Sequence, residues 1–150
     1  MKRYKFGFSL KGFLAFLLAM FPNIVWVAIP PLNDVLAANT AAFPVWEAIA
    51  AASQWLMIAA LILFVHQNAK QERRSKLRIG TAAFCLAGYY LLWVLYYAGV
   101  VSPWLFIGMA VLPAAYFVLV ALWLKNDIAL VPAALFGAIH IALTGVTYLK

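Results

Sequence analysis

Five apolar stretches constrain this chain more than any other feature of its sequence. Each comes close to the roughly 20 residues a helix needs to cross about 30 Å of hydrocarbon. They are Gly12–Ile29, Val45–His66, Ile79–Val101, Pro103–Leu124 and Ile128–Leu149. Lipid offers no water to unpaired backbone groups, so spanning segments must be helices or a closed barrel. Runs this long and this few point to helices. Composition agrees: 68% of the 150 residues are hydrophobic and 10% are charged, where a soluble domain is about half apolar and about a quarter charged. The expectation is an all-α, polytopic membrane helical bundle of about five transmembrane helices, forming a single transmembrane domain over residues 1–150.

The connections fit that plan. Residues 30–44 form the longest loop and residues 67–78 a basic one. Val101-Ser102-Pro103 reads as a tight turn with proline at the first helical position. Lys125-Asn126-Asp127 reads as another, with Asn126 or Asp127 able to cap the last helix. Only these three polar residues separate the fourth and fifth spans, so the helix count hangs on them. The first span is read as a membrane helix, not a cleaved leader ending at Val35-Leu36-Ala37. Its apolar run is longer than a leader's, and Pro30-Pro31 and Asp34 sit before the cleavage position.

Charge sets the orientation. Lys2, Arg3, Lys5 and Lys11 precede the first span. Lys70, Arg73, Arg74, Lys76 and Arg78 lie between the second and third, and Lys125 between the fourth and fifth. That places ten of eleven basic residues on one side, which the positive-inside bias makes cytoplasmic, leaving Lys150 outside. The N-terminus and the 67–78 loop are therefore expected in the cytoplasm of a cell membrane of the bacterial inner or plasma type. The net charge of +7 suits anionic lipid headgroups rather than nucleic acid, because the basic residues cluster beside apolar spans.

Polar side chains at membrane depth are costly and mark functional candidates. Asn23 follows Pro22 near the middle of the first span, where proline frees the carbonyl four residues earlier. Glu47 and Gln54, seven residues apart, share a face of the second span. Glu47 is the only carboxylate placed within a span, which makes it a candidate proton-carrying gate. His140, with Phe136, Thr144 and Thr147, forms a stripe on the fifth span. Tyr89, Trp93 and Tyr96 share one face of the third. Each also has a plainer role: an interhelical hydrogen bond for Asn23 and His140, a helix-terminal acid for Glu47, core packing for the aromatics. Trp26, Trp46, Trp104 and Trp123 read as interfacial anchors. Small residues at Ala48/Ala52, Gly80/Gly88, Ala110/Ala114 and Ala133/Gly137 would let helices approach closely.

The single cysteine, Cys85, excludes an intrachain disulfide, and no Cys/His cluster of zinc type is present. P-loop, GxSxG, HExxH and GxGxxG motifs are missing, so no cofactor, metal or enzymatic activity is expected. Pro44-Val45-Trp46, Leu91-Leu92-Trp93 and Leu130-Val131-Pro132, within five spans of a tryptophan-rich chain, resemble the tryptophan-rich sensory protein (translocator protein) family. That resemblance implies a binder of apolar ligands. Val94-Leu95-Tyr96 follows Trp93 in place of that family's polar and proline pattern, and no residue role is carried over. The expected function is binding or transport of a small apolar or amphipathic molecule. Asn23, Gln54, Tyr89, Trp93 and His140 would line the cavity, with Glu47 as gate. The alternative is a membrane subunit, or a regulatory or immunity protein, acting through partner helices or as a homo-oligomer.

Overall fold

The computed structural model describes residues 3–37, 43–67 and 73–149. It contains β1 (Tyr4–Phe6), α1 (Leu10–Ala28), α2 (Pro44–Leu63), β2 (Phe64–His66), α3 (Arg73–Tyr97), α4 (Pro103–Trp123) and α5 (Asp127–Tyr148). All five helices are long and apolar enough to cross a membrane. Lys2, Lys70, Glu72 and Lys150, and residues 38–42 of the first long loop, lie outside the described residues.

The helix boundaries follow local chemistry. Ser9, Ser102 and Asn126 cap α1, α4 and α5 by accepting from the N–H of Gly12, Leu105 and Ala129 respectively, each satisfying a donor that a helix start leaves unpaired. Of the two residues expected to cap α5, it is Asn126 that does so. α3 stops at Tyr97, short of the expected Val101. Gly99 there adopts a φ of 89°, the Gly99 N–H donates to Tyr96 O and the Val100 N–H to Leu95 O. This left-handed close is open to glycine at little cost. The Lys125 turn closes α4 in the same way, with the Asn126 N–H donating to Ala121 O and Lys125 itself at a φ of 53°. The three-residue connection is therefore a true hairpin, and the helix count among the described residues is five.

One element departs from an all-helical reading. α2 ends at Leu63, not His66, because Phe64–His66 turns extended and pairs antiparallel with Tyr4–Phe6, Tyr4 opposite His66 and Phe6 opposite Phe64. The ladder continues through the Gly7 N–H to Leu63 O and the Ser9 N–H to Ile62 O. The basic N-terminal segment is thereby tied along the end of α2. The Tyr4 hydroxyl reaches on to the α4–α5 hairpin, 3.0 Å from both an Asp127 carboxylate oxygen and its backbone N–H.

α4 is the most buried helix, with half of its apolar window inside the bundle. It packs α3 on one side and α5 on the other, and α2 packs against α5. Small residues allow these approaches: Ala110, Ala114, Ala133 and Gly137 are buried, and a Cβ on Gly137 would stand 3.0 Å from that of Ala114. The Ala48/Ala52 face is exposed; of the Gly80/Gly88 pair, Gly80 is exposed while Gly88 meets Leu112 of α4, 3.0 Å from where a Cβ would stand.

α1 lies across α2, α3 and α4 with thinner contacts. Its buried face is Gly12, Ala15, Ala19 and Pro22, and tyrosine hydroxyls from neighbouring helices hold its backbone. Pro22 lacks an N–H, which frees the Leu18 carbonyl, and the Tyr90 hydroxyl donates to that oxygen at 2.8 Å. Tyr116 donates to Ala15 O at 2.9 Å and Tyr97 to Ile29 O at 2.7 Å.

Among the described residues, Arg3, Lys11 and Arg78 lie at the ribbon end. Arg3 lies 3.8 Å from Asp127, Lys11 sits over the Trp123 ring, and Arg78 donates to Leu122 O at 3.0 Å. The last contact places a cation on the exposed carbonyls at the C-terminus of α4, where the helix dipole favours it.

Candidate functional site

Between the helices lies a cavity of about 460 Å3, lined from all five. It extends from the middle of the bundle toward the end opposite the ribbon, because its lining includes the last turns of α1 and α5 and the first turns of α2 and α4. α1 contributes Ala19, Met20, Asn23 and Trp26. α2 adds Glu47, Ala50, Ala51 and Gln54, and α3 adds Tyr89 and Trp93. α4 presents Phe106, Met109, Ala110, Pro113 and Phe117, and α5 presents Phe136, His140, Leu143, Thr144 and Tyr148.

All six residues singled out from the sequence line this one space: Asn23, Glu47, Gln54, Tyr89, Trp93 and His140. They differ in how they are engaged. Asn23 donates through Nδ2 to the Tyr89 hydroxyl at 2.8 Å, an interhelical bond across α1 and α3. Tyr89 and Trp93 are almost wholly buried, at 4% and 5% exposure, and pack edge to face. The His140 ring stacks on Phe136 with centroids 5.1 Å apart. Among the described residues no hydrogen bond reaches the side chains of Glu47 or Gln54 or the imidazole of His140. Phe136, His140 and Thr144 of the expected stripe line the cavity and Thr147 does not; both threonine hydroxyls donate to the carbonyl four residues earlier, His140 O and Leu143 O. The Trp93 Nε1 and the Tyr148 hydroxyl are covered by neighbours and lack a partner among the described residues.

The sequence reading missed the closure at the non-basic end. Asp34, in the loop after α1, accepts from the Trp26 indole N–H at 3.0 Å, the Tyr96 hydroxyl at 2.9 Å and the Ala37 N–H at 3.1 Å. The Leu36 N–H donates to Tyr96 at 3.1 Å, and the Leu36 side chain becomes part of the cavity wall. Trp26, expected as an interfacial anchor, is thus a wall residue and a lid contact. Its position three residues after Asn23 places both on one helix face, and that spacing was the available signal. Little that is local marked Asp34, because two of its three partners, Trp26 and Tyr96, come from α1 and α3.

Partial burial pushes the Asp34 carboxyl up, but the hydrogen bonds from Ala37, Tyr96 and Trp26 outweigh it and hold the group below its ordinary 3.8. A carboxyl lowered in the folded state stabilises above its unfolded value and loses that contribution as pH falls through the folded one. The lid is therefore held at neutral pH and loosens in acid, below about pH 4. Tryptophan emission of the purified chain is expected to change over that range. Asp34→Asn should flatten the transition; an unaltered titration in that variant would reject this role.

Among the described residues no group of three or more His, Cys, Asp or Glu is placed to hold a metal ion. No protein-family model, curated protein or solved structure matches the chain. The short tryptophan-containing likenesses in its sequence thus gain no support from these comparisons.

Proposed function

We propose that the chain is a multi-pass cell-membrane protein, ribbon end in the cytoplasm, that binds or carries a small apolar or amphipathic molecule in the interhelical cavity. The observation that carries this reading is the cavity's make-up. An apolar wall from five helices surrounds Glu47, Gln54 and His140, whose side chains find no hydrogen-bond partner among the described residues. Polar groups at membrane depth are costly unless they meet one another, water or a ligand. An apolar pocket with a few such groups is the usual form of a small-molecule site. The cytoplasmic assignment rests on the ten basic residues that the sequence puts toward the ribbon end.

The test is a triple variant, Asn23→Leu with Gln54→Leu and His140→Leu. It should abolish saturable binding of an apolar fluorescent probe while leaving helical content and monodispersity as in the parent. Binding retained at parental strength would reject the cavity as the site.

A further inference from the structure

The proposed site carries a charge preference. Among the described residues, Glu47 is the only Asp, Glu, Lys or Arg in the cavity wall. It stands in the first turn of α2, toward the end where Asp34 holds the lid. Positive side chains are kept away from this region by the sequence itself: no Lys or Arg occurs in residues 12–69, 79–124 or 126–149. Lys150, just past α5, is the one basic residue whose sequence position falls near this end.

The rest of the wall suits the same sign. Trp26, Tyr89, Trp93, Phe106 and Tyr148 gather around the outer half of the cavity, with Trp93 6.3 Å from both Trp26 and Tyr89, centroid to centroid. Aromatic faces attract cations through their quadrupole, more strongly when water is excluded. A lone carboxylate without a basic partner in the wall repels an anion and leaves a neutral ligand's contacts unchanged. It attracts an organic cation.

From this arrangement we infer that the ligand is a hydrophobic cation, an apolar molecule bearing a quaternary or protonated amine or an equivalent delocalised positive charge. The inference rests on the cavity being the binding site, and its test separates the two claims. Tetraphenylphosphonium and tetraphenylborate are alike in size and shape and opposite in charge. Their binding to the purified full-length chain in a non-ionic detergent is measured by equilibrium dialysis, with Glu47→Gln and the N23L/Q54L/H140L variant alongside.

The expected result is phosphonium binding that exceeds borate binding about tenfold or more, falls to parity in Glu47→Gln, and vanishes in the triple variant. Equal binding of both ions by the parent chain, lost in the triple variant, would overturn the cation preference and leave the cavity standing. Binding of neither ion would overturn the cation preference and leave the cavity to the apolar-probe test above; phosphonium binding that persists in the triple variant would overturn both. The comparison of the two ions on the parent chain needs no substitution, so it stands even where Glu47→Gln fails to fold.

Discussion

Asn126→Leu is expected to destabilise the folded chain by about 2–4 kcal/mol. The side chain is 1% exposed and links α5 to α2 and β2. Its Oδ1 accepts from the Ala129 N–H at 3.0 Å, capping α5. Its Nδ2 donates to Ala60 O at 2.8 Å and Phe64 O at 3.0 Å, where α2 gives way to β2. Loss of such a cap costs about 1 kcal/mol, and each buried hydrogen bond contributes about as much. Asn126→Ser keeps a capping oxygen but not the reach to α2, so it should recover about half the loss. Asn126→Asp, ordinarily as good a cap, would set a carboxylate against two carbonyls and should do no better than leucine. Denaturant or thermal unfolding in micelles, followed by far-ultraviolet circular dichroism, would rank these variants. A leucine variant within about 0.5 kcal/mol of the parent would show that the hairpin is not fastened this way.

The second large effect is expected at Gly12. A Cβ built there would overlap the carbonyl oxygen of Leu61. That atom belongs to the backbone of α2 and has no rotamer through which to yield. Gly12→Ala should therefore cost about 1–3 kcal/mol. The loss should fall on the docking of α1, whose contacts with the bundle are thin, and so on the closure of the cavity that α1 helps to wall. Gly80→Ala is the control. It also lies within a helix, yet nothing stands within 4 Å of its added Cβ, so the better helix propensity of alanine should stabilise by about 0.5–1 kcal/mol. Opposite signs at the two glycines, read from paired unfolding curves, would establish the close approach; equal effects would contradict it.

What the sequence made legible follows from how strong each physical signal is. The spans could be read because membrane thickness imposes a length, and five runs meet it. The gathering of Asn23, Glu47, Gln54, Tyr89, Trp93 and His140 around one space was legible for a related reason: a polar group at depth is tolerated facing the bundle interior, and five interior faces converge. Their common position is a property of the structure; their role in binding is the proposal above. The ribbon was not legible. Tyr4–Phe6 and Phe64–His66 are three residues each, too short for an alternating pattern, and their pairing joins segments about 60 residues apart. The Asp34 lid escaped for the same reason, since the Trp26 and Tyr96 bonds to Asp34 depend on which helices the fold brings to that end. The outward faces of Ala48, Ala52 and Gly80 show the converse: spacing alone does not say which neighbour a small-residue stripe will meet.

The central claim is that the cavity holds a small molecule. It is tested most directly by identifying what leaves the membrane with the protein. The parent chain and the N23L/Q54L/H140L variant would be purified side by side in mild detergent and examined by native mass spectrometry, with the released small molecules identified after denaturation. The account predicts one apolar or amphipathic species, near stoichiometric with the parent and depleted from the variant. Identical small-molecule profiles from the two proteins, or a second polypeptide as the only constant companion of both, would contradict it.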